Sequence, residues 1–129
     1  STLKRMSVIA QVNAGGDRSF KVLSKGAPEV LCKFMKDKPA DYEQLYLKHV
    51  KEGSRVLALA YKNISGMSQA DLNAYKREEA ECDLIFGGFI VAECPLKEDT
   101  KSVINELLNS SHQVKMITGD NALTAAFIG

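Results

Sequence analysis

Apolar residues alternate with polar or small ones at Met6, Val8, Ala10 and Val12, and the same rhythm returns through Phe20 and Val22 in Ser19 to Ser24. Side chains that alternate with period two suit an extended chain with one face buried and the other wet. The intervening Asn13-Ala14-Gly15-Gly16-Asp17 is turn chemistry, so the two runs predict a β-hairpin.

Lys25-Gly26-Ala27-Pro28-Glu29 follows the hairpin. Its glycine permits an unusual backbone angle, and Pro28 with Glu29 suits the first turn of a helix running through Val30, Leu31, Phe34 and Met35. A second helix is predicted from Pro39 to Glu52, because Tyr42, Leu45, Tyr46, His49 and Val50 share a face and Gly53 stands where a helix would stop. Arg55 to Tyr61 reads as a short, nearly continuous apolar strand. Ser68, with Asp71 three residues on, resembles a capping box opening a helix towards Ala80. Asp83 to Glu93 reads as the most buried strand. Strands that outnumber helices and alternate with them irregularly predict an α+β fold, a mostly antiparallel sheet flanked by helices.

The pattern changes after Cys94-Pro95. Thr100 to Asn109 sets Val103, Ile104, Leu107 and Leu108 at helical spacing, Val114 to Ile117 reads as a short apolar strand, and Asn121 to Ile128 can start another helix. That β-to-α order opens a parallel, doubly wound, Rossmann-like unit. The chain is therefore expected to hold one domain over residues 1–93 and part of a second over 94–129. With 129 residues, a start at Ser-Thr-Leu-Lys without an initiator Met or signal peptide, and an end at Phe-Ile-Gly inside an apolar run, it reads as a piece of something longer.

Composition narrows the function. Seventeen Lys and Arg against 16 Asp and Glu leave a formal charge of +1, too weak a field to hold nucleic acid or an anionic membrane surface. The longest strongly apolar stretch, Leu84 to Ala92, falls far short of the roughly 20 residues that span a bilayer. Three cysteines, Cys32, Cys82 and Cys94, form no Cys-x-x-Cys pair and, with His49 and His112, match no zinc spacing, which fits a reducing compartment.

The candidate chemistry lies in three places. Met116-Ile117-Thr118-Gly119-Asp120-Asn121 is an apolar strand ending in a polar turn that feeds a helix, an arrangement that points backbone N–H groups at an anion while an Asp orients a metal or a nucleotide hydroxyl. The same residues are ordinary turn and cap residues, so the turn by itself leaves both readings open. Lys25-Gly26 at a strand end can approach a phosphate or simply be solvated. Arg55, polar at the head of an apolar strand, can clamp phosphate through its planar fork or close a surface ion pair.

Together, Lys4-Arg5-Met6-Ser7-Val8, Lys25-Gly26-Ala27-Pro28-Glu29, Arg55-Val56-Leu57-Ala58-Leu59-Ala60 and Met116-Ile117-Thr118-Gly119-Asp120-Asn121 stand in an order that resembles a P-type ATPase. The resemblance covers nearly the whole chain. It implies that the first part is the nucleotide-binding domain and that residues after about Cys94 are a fragment of the phosphorylation domain. Cys94-Pro95-Leu96-Lys97 followed by an acidic pair resembles the type V pumps, specifically the endoplasmic-reticulum subgroup A, rather than the Asp-Pro-Pro-Arg or Asp-Pro-Leu-Arg of many ion pumps. For such a protein the resemblance implies an ATP-driven dislocase of misinserted transmembrane helices, with this chain on the cytosolic face of the endoplasmic reticulum membrane.

Carried over by motif, Lys25 with Gly26 would lie near the adenine and phosphates, Arg55 would contact the phosphates, and Lys4 would line the same pocket. Thr118, Gly119 and Asp120 would face the nucleotide from the phosphorylation domain. ATP, accompanied by Mg2+ in the parent protein, is the implied ligand, and the remaining ATPase domains are the implied partners. The family's stacking Phe would fall just before Ser1, and its phosphoryl-accepting Asp-Lys-Thr-Gly-Thr segment does not occur here. An isolated fragment of this kind is expected to be monomeric, to hold no metal of its own and to bind nucleotide without turnover. Three alternatives stay open: the ATP-binding domain of a cation-transporting P-type ATPase, a haloacid-dehalogenase-like phosphatase, disfavoured by the lack of Asp-x-Asp, and an interaction domain using the Tyr42 and Tyr46 helix.

Overall fold

A computed structural model describes residues 3–14, 17–93, 95–119 and 122–128. The predicted hairpin forms: β1 (Arg5–Ala14) pairs antiparallel with β2 (Asp17–Gly26), from Arg5 opposite Gly26 to Ala14 opposite Asp17. Gly15 and Gly16 of the turn lie outside the described residues. β2 pairs in turn with β4 (Arg55–Ile64), and β4 with β5 (Leu84–Ala92), both antiparallel. A three-residue β3 (Met35–Asp37) adds a parallel edge to β5, giving the order β1-β2-β4-β5-β3. The fold is α+β, as the strand patterns predict.

The two faces of this sheet differ. Val22, Ser24, Val56, Ala58, Ala60 and Leu84 are buried together on one face. Over them lie Leu31 of α1 (Pro28–Leu31) and Tyr42, Tyr46 and Val50 of α2 (Tyr42–Lys51). Tyr42 anchors this layer, its ring 4.9 Å from Phe89 and 5.3 Å from Phe86, and its hydroxyl donating to the Pro28 carbonyl at 3.0 Å. On the opposite face Met6, Lys25 and Leu59 stand side by side across three strands, with Leu57 paired to Ile90. Met6, Leu23, Leu57 and Ile90 remain exposed there.

Helix α2 ends where the sequence marks its stop. Gly53 adopts φ 81°, and its N–H and that of Ser54 reach back to the Val50 and His49 carbonyls at 3.0 Å each. Glycine takes this left-handed angle without a steric penalty. Its start falls at Tyr42 rather than Pro39.

Four sequence expectations need correction. Met35 is not helical: α1 tightens into a 3-10 turn at Cys32–Phe34, and Met35 pairs with Leu84, because β5 offers an open edge there. The helix expected from Ser68 to Ala80 is two short ones, α3 (Gln69–Asn73) and α4 (Arg77–Ala80). The Ser68 and Asp71 capping box does form, but Lys76 is extended and its N–H donates to the Glu79 carboxylate, so a second helix starts afresh. The buried strand is β4; in β5 only Leu84 is fully buried. Finally, Val114 to Ile117 forms no strand, and Ile117 is 97% exposed. A strand needs ladder partners, and none among the described residues pairs with it.

Beyond the sheet, α5 (Thr100–Asn109) is exposed along its whole apolar side, whereas α6 (Ala122–Ile128) packs against α2 and buries Thr124. Among the described residues no helix is long and apolar enough to cross a membrane.

Candidate functional site

Where β1 and β4 begin and β2 and β5 end, a cavity of about 700 Å³ opens between the sheet, α2 and the start of α6. Its polar lining includes Lys4, Arg55, Glu29 and Thr124, and its largely apolar lining includes Leu57, Ile90 and Tyr46. Strand geometry explains part of this: Arg55 and Leu57 are two apart in β4 and so share a side, with Ile90 and Ala92 opposite them in β5. Gly119 and Ala122 close the cavity from the C-terminal side. Burial, and then the nearby carboxylates of Glu43 and Glu29, push the Tyr46 phenol above its ordinary pKa, so it is neutral here at physiological pH.

Lys4 reaches the rim through unusual backbone. It takes φ 49°, the left-handed region that non-glycine residues seldom enter, and its carbonyl accepts the Ala27 N–H at 2.9 Å. Gly26 permits this approach. A Cβ there would meet the Lys4 carbonyl oxygen at 2.7 Å and the Arg5 Cβ at 2.8 Å, so no other residue fits without moving the chain.

The structure thus brings Lys4, Arg55 and Gly119 to one cavity, although their motifs are far apart in sequence. Lys25 does not line it. It is exposed on the open sheet face, in the row with Met6 and Leu59, one step from the Leu57 that does line the cavity. Gly26 is buried beneath Lys4 and Arg5 rather than presented to a ligand. Thr118 is exposed and not part of the lining, and Asp120 lies outside the described residues.

Sequence reasoning missed a buried ionic cluster next to this site. Glu81 is 2% exposed, yet its Oε2 accepts from Arg5 Nε at 2.8 Å and its Oε1 from Ser7 Oγ at 2.8 Å and Arg77 Nε at 3.0 Å. Burial alone would raise its pKa, but the hydrogen bonds from Arg77, Ser7 and Arg5 and the Arg5 charge bring it down to about 2. Arg5 also lies over the Phe34 ring, 4.3 Å from its centre. Neither local periodicity nor any motif marks Glu81 as buried, because two of its three partners, Ser7 and Arg5, are 74 and 76 residues away. Among the described residues no group of three or more His, Cys, Asp or Glu could hold a metal ion.

Comparison with known proteins gives this arrangement a family context. Residues 1–99 match the family described as P-type ATPase, cytoplasmic domain N. The chain is 46% identical over 137 residues to the endoplasmic reticulum transmembrane helix translocase spfA of Aspergillus fumigatus, covering 99% of this chain and 10% of that protein. It is 44% identical to the protein of the same name in Schizosaccharomyces pombe, covering 99% of this chain and 11% of that protein. It is also 44% identical to the Arabidopsis thaliana protein named "Probable manganese-transporting ATPase PDR2", covering 99% and 10%. The chain therefore spans about a tenth of the length of these curated relatives.

Proposed function

This chain belongs to the P-type ATPase family, as its nucleotide-binding N domain, and from that premise we propose that the cavity and the adjoining open sheet face take up ATP for an endoplasmic-reticulum translocase of transmembrane helices. The observation that carries the reading is the convergence of Lys4 and Arg55 on one cavity, with Lys25 a single strand step away. Lys4 and Arg55 on the cavity, with Lys25 beside it, outnumber the single carboxylate of Glu29, a balance that suits a polyphosphate. Leu57, Ile90 and Met6 offer apolar surface to a base. Arg55 holds phosphate oxygens through its fork, Lys4 supplies a point charge at the rim, and Lys25 serves the nucleotide from the sheet face.

The chain's share of the reaction is to bind and present ATP. In the parent protein an aspartate attacks the γ-phosphoryl group, and the Asp-Lys-Thr-Gly-Thr segment that would supply it does not occur in these residues. Gly119 with Thr118 and Asp120 belongs, on this reading, to a phosphorylation domain beginning near residue 94, of which 94–129 is the Rossmann-like part. The end of the family match at residue 99 supports a boundary in that region. Mg2+ is read as the counter-ion that accompanies the nucleotide, and no step is assigned to it. The parent's partners are its other domains, on the cytosolic side of the membrane.

Titration with ATP followed by NMR tests this directly. Shifts are expected at Lys4, Lys25, Arg55 and Ile90, and Arg55→Ala should weaken binding by about 1.5 to 3 kcal/mol through loss of a charge-assisted bond. Shifts confined to α3 and α4 would overturn the assignment. A second reading, cation transport, rests on the equal identity to a relative named for manganese. Stimulation of the parent's ATPase by Mn2+ but not by a transmembrane-helix peptide would favour it.

A further inference from the structure

We propose that Glu81 is a positioning residue for the nucleotide site: by anchoring Arg5 it holds the neighbouring Lys4 in the left-handed conformation that sets its place on the cavity rim. The inference rests on the nucleotide reading above and adds a residue which that reading does not use.

Non-glycine residues persist at such angles only where their surroundings over-determine them. Three restraints do so here. Gly26 leaves room for the Lys4 carbonyl, the Ala27 N–H fixes that carbonyl at 2.9 Å, and Arg5 is pinned one residue further on. Arg5 is held from two sides, by Glu81 Oε2 at 2.8 Å and by the face of Phe34. The two oxygens of Glu81 divide the work. Oε2 serves Arg5, while Oε1 takes Ser7 and Arg77, and Ser7 continues to Ser24 at 2.8 Å. Arg77 sits on the solvent side, about half exposed, and touches neither Lys4 nor the cavity. The path from Glu81 to the rim therefore runs through Arg5, and the Arg77 contact is a separate branch.

Burial makes this anchor stiff. A carboxylate so withdrawn from water has no solvent partner to exchange with, so releasing Arg5 would leave two charges badly solvated. Lys4 thereby gains a fixed rim position that its flexible side chain alone would not have.

The test compares three variants of the whole chain by amide exchange and by ATP titration. Arg5→Met cuts the link and leaves Glu81 its Ser7 and Arg77 bonds. Glu81→Ala removes the anchor itself. Arg77→Ala is the control branch. Arg5→Met and Glu81→Ala should each speed exchange of the Ala27 amide and weaken ATP binding by about tenfold, within the span of couplings inside one hydrogen-bonded network. Arg77→Ala should change neither. If Glu81→Ala does not fold, Arg5→Met decides alone. In a Lys4→Ala background Arg5→Met should have no further effect on ATP affinity, since the residue it positions is gone. Unchanged Ala27 exchange in Arg5→Met, equal acceleration by Arg77→Ala, or an undiminished Arg5→Met effect without Lys4 would each overturn the proposal. The exchange measurement needs no nucleotide. Failure of the unsubstituted chain to bind ATP would sink the functional reading, while Ala27 exchange would still decide whether Glu81 sets Lys4.

Discussion

Helices α2 and α5 have the same length, ten residues, and both carry apolar side chains at helical spacing, yet they meet opposite fates. Tyr42, Tyr46 and Val50 of α2 are buried against the sheet, whereas Val103, Ile104, Leu107 and Leu108 of α5 all remain exposed. The difference is not in the helices. It lies in whether the rest of the chain supplies a surface: β2, β4 and β5 present Val22, Ala58 and Leu84 to α2, and no strand forms at Val114 to Ile117 to present anything to α5. Amphipathic periodicity specifies which side of a helix can be buried, and tertiary structure decides whether it is.

Paired truncations give the largest test of that contrast. Leu84 is fully buried and Leu107 is 39% exposed. Leu84→Ala should cost about 2 to 5 kcal/mol in chemical denaturation, the transfer term plus a cavity. Leu107→Ala should stay within about 0.5 kcal/mol, as surface substitutions do. Amide exchange should sharpen the same division, with β4 protected close to the global value and α5 opening locally. Equal costs for the two leucines would show that α5 is packed in solution.

The fate of individual residues shows how much of this was legible beforehand. The hairpin, β4, β5 and α2 could be read because alternation and helical spacing are local, and Gly53 marked its stop by the one angle glycine favours. Met35 could not, since its apolar side chain fits a helix face as well as an edge strand and only the open edge of β5 decides. The reset at Lys76 depends on a single bond to Glu79. Of the cavity lining, Lys4 and Arg55 stood in motifs legible in the sequence, whereas Lys25 lies outside the lining, because strand parity puts it on the open face while Gly26 is buried. Glu81 was invisible. A buried carboxylate is defined by its partners, and Arg5 is 76 residues away.

That carboxylate supplies the next largest test, because it confines acid sensitivity to the sheet half. The Glu81 pKa is lowered from 4.5 to about 2 in the folded chain. A depressed folded pKa means stability that is fully present above the unfolded value and is lost as pH falls through the folded one. Between about pH 4.5 and 2 the chain should lose about 3 kcal/mol through this group. Glu81→Gln should flatten that stretch of the stability profile. A profile identical to that of the unsubstituted chain would show that other carboxylates carry the acid response.

The smallest effect tests how the covered half is held. Tyr42 contributes a ring and a hydroxyl, and the two can be separated. The hydroxyl donates to the Pro28 carbonyl at 3.0 Å, but that carbonyl also accepts the Cys32 N–H at the end of α1. Removing the hydroxyl therefore leaves no orphaned acceptor, and Tyr42→Phe should cost only about 1 kcal/mol. The ring is different: it touches Tyr46, Phe86 and Phe89 between α2 and β5, and Tyr42→Ala should cost about 3 to 5 kcal/mol as other buried aromatic truncations do. Thermal denaturation of both variants checks the ratio. If Tyr42→Phe proved as damaging as Tyr42→Ala, the hydrogen bond to α1 rather than aromatic packing would hold α2 on the sheet. Because Pro28 and Tyr46 both line the cavity, the same result would make the cavity wall depend on one polar contact, and Tyr42→Phe would then weaken ATP binding as well. With the ring in control, ATP affinity should be unchanged in Tyr42→Phe.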